Sequence, residues 1–167
     1  MTAARDTRGS TSTATDVFAE ARAHRRTGRA WRVPLVVAAG GGIGSVLRYL
    51  VETAVPVPPH GFPWGTLAIN VSGSLVLGLL MVHILEVWPP RRYLRPFACV
   101  GVIGGYTTFS TYVAEIRDLA AAGLWSRADA YALTSLAAGL AAVWCGIVIG
   151  RLLARTGVRR PRSTEEA

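Results

Sequence analysis

Four long apolar runs constrain the fold of this chain more than any other feature. They cover residues 34–55, 65–87, 95–119 and 128–153. Each reaches the roughly 20 residues that an α-helix needs to cross about 30 Å of hydrocarbon. We therefore predict an all-α membrane protein, with four transmembrane helices in a domain that spans residues 33–154. With 51% hydrophobic residues, the chain is too apolar and too regularly interrupted for an ordinary soluble domain.

The charge of the chain lies mainly outside these runs. All 18 basic residues are arginines, and the formal net charge is +8. Such a charge can indicate nucleic-acid binding, but arginines that flank apolar spans are typical of a membrane protein instead. We expect a disordered basic tail over 1–32 and a disordered tail over 155–167, because neither segment has enough large apolar groups to fold. Arginines near span ends favour cytoplasmic termini: one side would carry Arg22, Arg25, Arg26, Arg29, Arg32, Arg91, Arg92, Arg95, Arg151, Arg155, Arg159, Arg160 and Arg162, and the other Arg117 and Arg127.

The third run contains a stretch that is a poor helix. Residues 104–112 read GGYTTFSTY, in which two glycines are followed by β-branched threonines. A break at bilayer depth leaves backbone groups that lipid cannot satisfy, so it must face protein, water or an ion. The half-helix ends could hold a cation on freed carbonyls or an anion on freed amides and hydroxyls. The break is therefore a candidate site.

Small and polar residues also recur within the other spans. In the second span Thr66, Asn70, Ser74 and Gly78 follow one helix face, which should contact protein and not lipid. Asn70 is costly in a bilayer unless it is hydrogen-bonded, and the residues alone leave helix packing and a pore ligand equally open. Arg48, late in the first span, either reaches the nearer interface or lines an anion vestibule.

Three blocks in order resemble the Fluc (CrcB-type) fluoride channels. Besides residues 104–112, residues 41–49 read GGIGSVLRY and residues 65–74 read GTLAINVSGS. The similarity covers roughly residues 33–153.

This resemblance implies a fluoride-selective channel in the plasma membrane that exports fluoride passively from the cytoplasm. It places Asn70 beside the conducting path, with ring edges from Phe109 and Tyr112 next to the ion. The hydroxyls of Ser110 and Thr111 would form a polar track, which Thr134 or Ser135 would continue. The family often has Phe where this chain has Tyr112. Its hydroxyl either faces the pore and donates to fluoride, which we favour, or bonds a neighbouring helix.

The resemblance further implies a dimer of antiparallel subunits with a structural sodium ion at its centre. Main-chain carbonyls of the broken helix would bind the sodium, and here these map to Gly104 and Thr107. Each pore would need an inverted homologous subunit. Because the arginines of this chain are so asymmetric, we predict that it belongs to an oppositely oriented pair.

Other functions fit the residues less well. A proton-coupled exporter of the four-span multidrug-resistance type needs a carboxylate at membrane depth, whereas Glu52, Glu86 and Glu115 lie toward span ends. A non-conducting scaffold leaves the threonine-rich break unexplained. An enzyme is disfavoured because Ser110 lacks a Gly-x-Ser-x-Gly context. Cys99 and Cys145 have no partner at zinc-ligand spacing and are interpreted as packing residues.

Overall fold

The computed structural model describes residues 31–157, and all of the secondary structure in this range is helical. Helix α1 is Arg32–Ala54, and α2 is Trp64–Val82, continued by a π-helical turn at His83–Val87. The third span has two halves: α3 joins a π-helix, Pro96–Ile103, to a helical turn, Gly104–Tyr106, and α4 is Ser110–Ala121. Helix α5 is Trp125–Gly157.

Four spans in this range are long and apolar enough to cross a membrane, which confirms the predicted fold class. They are Arg32–Ala54, Trp64–Val87, Pro96–Ala121 and Trp125–Arg155. The predicted tails fall largely outside the described residues. Trp64 and Trp88 at the ends of the second span are both well exposed, as interfacial residues should be. This chain is therefore a multi-pass membrane protein.

The packing described below lies within residues 36–157. Helices α1 and α3 approach each other through glycines. A Cβ atom added to Gly44 would lie 2.1 Å from the carbonyl oxygen of Val102, and one added to Gly105 would lie 2.4 Å from that of Gly41. No side chain fits at these distances. These glycines therefore allow α1 and α3 to pack closely.

Helices α2 and α5 cross in the same way. A Cβ added to Gly78 would lie 2.3 Å from the Val143 carbonyl oxygen, and one added to Gly146 would lie 2.2 Å from that of Leu75. Higher on α2, Gly73 faces the side chain of Thr107, where an added Cβ would meet the threonine methyl group at 2.3 Å. Glycines thus bring the broken third span against the middle of α2.

Candidate ion pathway at the broken helix

The third span breaks at Thr107–Phe109. Thr107 has an extended backbone, with φ −75° and ψ 156°, and α4 begins three residues later at Ser110. The break was predicted within residues 104–112 and does lie there, but the glycines are not where the helix ends. Gly104 and Gly105 remain helical, and Gly105 lies against the backbone of α1 at Gly41. The threonines after them end the helix.

Asn70 of α2 holds the break with two hydrogen bonds to one residue. Its Nδ2 donates to the carbonyl oxygen of Thr108 at 2.9 Å, and the backbone N–H of Thr108 donates to its Oδ1 at 2.9 Å. This pairing fixes the orientation of the amide, since a flipped amide would set donor against donor. An asparagine amide carries two N–H donors, so one remains for another acceptor. Asn70 thus has a structural role, and its second N–H has no acceptor among residues 31–157.

The two threonine hydroxyls are bonded within the break. Thr107 Oγ1 donates to the Ile103 carbonyl at 2.9 Å, four residues back along α3. Thr108 Oγ1 accepts the backbone N–H of Thr111 at 3.2 Å and donates to Thr111 Oγ1 at 2.9 Å. The bond from the Thr111 N–H to Thr108 Oγ1 caps the start of α4. Thr108 therefore closes one half-helix while Thr107 ends the other.

These side-chain bonds remove the helical donors of two carbonyl groups. In an unbroken helix the N–H of Thr108 would bond Gly104 and that of Thr111 would bond Thr107. Here those N–H groups go to Asn70 and to the Thr108 hydroxyl. The carbonyl oxygens of Gly104 and Thr107 therefore lose these helical donors. They are the two oxygens to which the family resemblance assigns the sodium ion. Within residues 31–157 no cluster of His, Cys, Asp or Glu side chains offers a competing metal site.

Two grooves flank the break, and Asn70, Ser74, Leu77 and Phe109 line both. One, of about 250 Å³, also includes Thr107 and Thr108. The other, of about 410 Å³, also contains Tyr112 and Ser135 and runs along α5.

Two predicted residues dominate the larger groove. The Phe109 ring is 77% exposed, and its centroid lies 5.9 Å from that of Tyr112. Ser135 Oγ is buried, and within the described residues it has no hydrogen-bond partner. An unpaired buried hydroxyl is costly unless it meets a ligand or water. The groove therefore combines aromatic edges with a buried hydroxyl that makes no hydrogen bond of normal geometry to any described residue.

Tyr112 does not use its hydroxyl as we favoured from the sequence. The OH donates to the carbonyl oxygen of Ala132 on α5 at 3.0 Å. Its single proton is engaged in helix packing, so the interpretation that it donates to fluoride in the pore is wrong for this structure. The second alternative holds, and Tyr112 contributes its ring to the groove.

The remaining predicted residues divide into two sets. Ser110 and Thr111 lie at the start of α4, where both hydroxyls are within 3.4 Å of Thr108 Oγ1. Arg48 lies apart on α1, where its Nε is 3.9 Å from Glu52 Oε1, and it lines neither groove. Of the predicted pore residues, Asn70, Phe109, Tyr112 and Ser135 line the larger groove, whereas Ser110, Thr111, Thr134 and Arg48 line neither groove.

A second polar cluster was not singled out from the sequence. Glu115, one turn beyond Tyr112, accepts hydrogen bonds of 2.7 Å from Thr66 Oγ1 and from Tyr131 OH. Thr66 and Tyr131 are buried, and Tyr131 has no exposed surface. The signal in the sequence was the polar stripe of α2, which begins at Thr66. The other two members of the cluster, Glu115 and Tyr131, lie 49 and 65 residues further along the chain. Glu115 therefore extends the line of polar groups along α4.

Fold and site together define a small four-span membrane protein of the ion-channel class, with a broken helix at its polar centre. The family model described as CrcB-like protein, Camphor Resistance (CrcB), matches residues 35–147. The chain belongs to this family, which confirms the resemblance found in the three sequence blocks.

Relatives in other bacteria carry the corresponding name. The chain is 46% identical over 128 residues to fluoride-specific ion channel FluC 2 of Nocardia farcinica, covering 75% of this chain and 89% of that one. It is 46% identical over 123 residues to FluC 3 of Streptomyces avermitilis, covering 74% and 60% of the two chains. It is 40% identical over 118 residues to a FluC protein of Magnetococcus marinus, covering 70% and 96%.

Proposed function

We propose that this chain is a subunit of a fluoride-selective ion channel that lets fluoride leave the cytoplasm passively. The observation that carries the proposal is the arrangement around Asn70. Its amide clamps the break through Thr108 and keeps one N–H in grooves that also hold the Phe109 ring. Membership of a family whose relatives are named fluoride-specific ion channels supports the same conclusion.

The chemistry of the groove suits a small, strongly hydrated anion. A pore that takes fluoride must replace its water with donors and positive ring edges. Asn70 offers an N–H, Ser135 offers a hydroxyl, and Phe109 and Tyr112 offer ring edges. The N-terminal end of α4 begins at the break, and its dipole favours negative charge there. None of these groups carries a full positive charge, so the ion is held weakly enough to leave.

Fluoride release from proteoliposomes tests this function. Vesicles that contain the channel purified together with its homologous subunit are loaded with potassium fluoride and diluted into fluoride-free buffer of the same pH. Valinomycin then allows charge-balancing potassium flow. We expect fluoride, measured with a selective electrode, to be released only after valinomycin is added, because a channel moves net charge. Release that needs a proton gradient and ignores valinomycin would identify the exporter alternative. Absence of release under both conditions would contradict transport altogether.

Two variants tie the flux to the groove. Phe109→Ile keeps the apolar bulk but removes the ring edge, and Asn70→Asp sets a carboxylate where an anion must pass and against the Thr108 carbonyl. We expect both to lose most fluoride release, and Asn70→Asp to unfold more readily as well because it breaks the clamp. Val113→Ile is a matched control. Val113 is an exposed apolar residue of α4, the helix that begins just after Phe109, and it lines neither groove. Wild-type flux in both pore variants would refute the site.

We also propose that the working channel is an antiparallel dimer with a homologous subunit. The exposed Phe109 ring and the open grooves on either side of it suit completion by a second subunit. An inverted homologous subunit would add its two corresponding carbonyl oxygens to those of Gly104 and Thr107, which makes four at the dimer centre. Sodium bound there would neutralise the negative ends of the broken helices.

Stability in different cations tests the sodium site without using flux. An ion that binds only the folded protein stabilises it by RT ln(1 + c/Kd), where c is its free concentration, so the unfolding temperature rises with the logarithm of the ion concentration once this exceeds Kd. We expect the detergent-solubilised dimer to melt at a higher temperature in sodium chloride than in N-methyl-glucamine chloride of equal ionic strength. Equal melting temperatures over a wide range of sodium concentration would contradict the proposal.

A further inference from the structure

The loop between α1 and α2 is fastened to α5 by Arg127. Within this loop the N–H of Gly61 donates to the Pro58 carbonyl at 2.8 Å, and His60 has a positive φ of 59°. Residues other than glycine adopt this conformation uncommonly, and surrounding contacts must maintain it. The Arg127 guanidinium donates to the carbonyl oxygen of His60. This bond joins the loop directly to α5 at its residue with positive φ.

The position of Arg127 is unfavourable for its charge. Arg127 lies in the first turn of α5, a helix that begins at Trp125, and a cation near a helix N-terminus is disfavoured by the helix dipole. Its guanidinium is placed so that it spans from α5 to the loop. The contact with His60 therefore accounts for an arginine that helix electrostatics would not favour there.

The same loop reaches the pathway through Phe62. The Phe62 ring meets the Tyr131 ring edge-on, with centroids 5.4 Å apart. Tyr131 is fully buried, its ring lies 5.4 Å from that of Tyr112, and its hydroxyl donates to Glu115. Tyr131 thus contacts the loop, a ring of the groove and the carboxylate that extends the polar line. A displaced loop would leave one side of this ring without its packing partner.

We propose that Arg127 and Phe62 are positioning residues for conduction: Arg127 holds the α1–α2 loop, and Phe62 on that loop fixes Tyr131 against Tyr112 and Glu115. Neither residue touches the ion. The proposal rests on the proposed channel function and adds to it a contact between an extramembrane loop and the pore lining. Because Tyr131 is the shared contact, changes at Arg127 and at Phe62 should act on the same step.

The chain offers a matched control for the charge of Arg127. Arg117 is exposed like Arg127 but lies on α4. Its guanidinium pairs at 2.9 Å with the neighbouring Asp118 without touching the loop. Arg127→Gln and Arg117→Gln each remove one positive charge. If charge near the mouth attracts fluoride, the two variants will lower flux equally. If Arg127 acts through the loop, only its variant will do so.

We expect Arg127→Gln to lower fluoride flux in proteoliposomes about two- to tenfold, the range set by one lost hydrogen bond. Arg117→Gln should stay near wild type. Arg127→Lys, which keeps the charge but loses the fork of the guanidinium, should be intermediate. Phe62→Leu should reduce flux similarly, and combining it with Arg127→Gln should add little further loss.

Each other result overturns the proposal. Wild-type flux in Arg127→Gln, together with faster hydrogen exchange at the Gly61 amide, would show that the loop opens without consequence for conduction. Equal losses in the Arg127 and Arg117 variants would assign the effect to charge, and fully multiplicative losses in the double variant would separate Phe62 from Arg127. If Arg127→Gln does not assemble, Arg127→Lys carries the test, and wild-type flux in it refutes the proposal. Failure of the channel function itself is distinguishable, because the wild-type channel, reconstituted with its homologous subunit, would then release no fluoride.

Discussion

Two tyrosine hydroxyls near the broken helix donate to partners of different charge. Tyr112 OH bonds the neutral carbonyl of Ala132, whereas Tyr131 OH bonds the Glu115 carboxylate. Hydrogen bonds to charged groups contribute more to stability than those between neutral groups. The two rings are in contact, so the hydroxyls can be compared in one environment.

Replacing each tyrosine by phenylalanine separates these roles. We expect Tyr112→Phe to lower the unfolding free energy by about 0.5–1.5 kcal/mol and to leave fluoride flux and apparent affinity near wild type. Tyr131→Phe should reduce flux as well, because Glu115 keeps only Thr66 as a donor. Thermal unfolding and electrode flux measure both. A clear change of fluoride affinity in Tyr112→Phe would contradict the assignment of its hydroxyl to packing.

At the same scale, the sequence predicts that a residue needs a partner better than which partner it finds. The cost of an amide in hydrocarbon marked Asn70 as special. Its partner, Thr108, lies 38 residues away and meets it only in the folded chain. The direction of the Tyr112 hydroxyl could not be predicted from the sequence either, since spacing on α4 does not tell which carbonyl of α5 is nearest.

At the scale of whole elements, the glycines have one role and the threonines another. The four spans and the presence of a break followed from hydropathy and composition. The break lies within the predicted stretch 104–112, but its exact residues were not predicted, because Gly104 and Gly105 stay helical while Thr107 and Thr108 end the helix. The π-helix Pro96–Ile103 was not predicted either, since its apolar composition is that of an ordinary membrane helix. The hydrogen bonds between Asn70 and Thr108 join the break to α2.

Neighbouring glycines of α1 provide a test of the packing. A Cβ on Gly44 would collide with the backbone of α3, whereas nothing lies within 4 Å of a Cβ on Gly42. We expect Gly44→Ala to destabilise the protein by about 1–3 kcal/mol, because backbone must move to admit the methyl group. Gly42→Ala should fold normally. Thermal unfolding in detergent measures both, and equal stability of the two variants would refute close packing of α1 against α3.

For the whole molecule, the strongest remaining signal is the distribution of charge. One side of the membrane would carry the α2–α3 loop and the C-terminal end of α5. The described residues there include one acid, Glu86, which pairs with Arg151 at 3.3 Å. The arginines there are Arg91, Arg92, Arg95, Arg151 and Arg155. The excess of arginine predicts a single orientation, with both termini in the cytoplasm. A chain with one orientation needs an inverted partner of different sequence to form an antiparallel dimer.

Labelling of a C-terminal tag tests the orientation. We expect a reagent that cannot cross membranes to label the tag only after the cells are opened, and a purified channel with full activity to contain a second, homologous subunit. Neutralising Arg91 and Arg92 together should allow some chains to insert the other way. Equal labelling from both faces, or full activity from this chain reconstituted alone, would contradict the prediction of an oppositely oriented pair.

The central claim is that the groove around Asn70 and Phe109 conducts fluoride and rejects other anions. Its most direct test is the reversal potential of the channel in a planar bilayer, with a fluoride gradient across the membrane and an equal chloride gradient in the opposite direction. We predict a current that reverses at the equilibrium potential of fluoride and that disappears in Phe109→Ile. A current that reverses near zero, or at the chloride potential, would contradict the account.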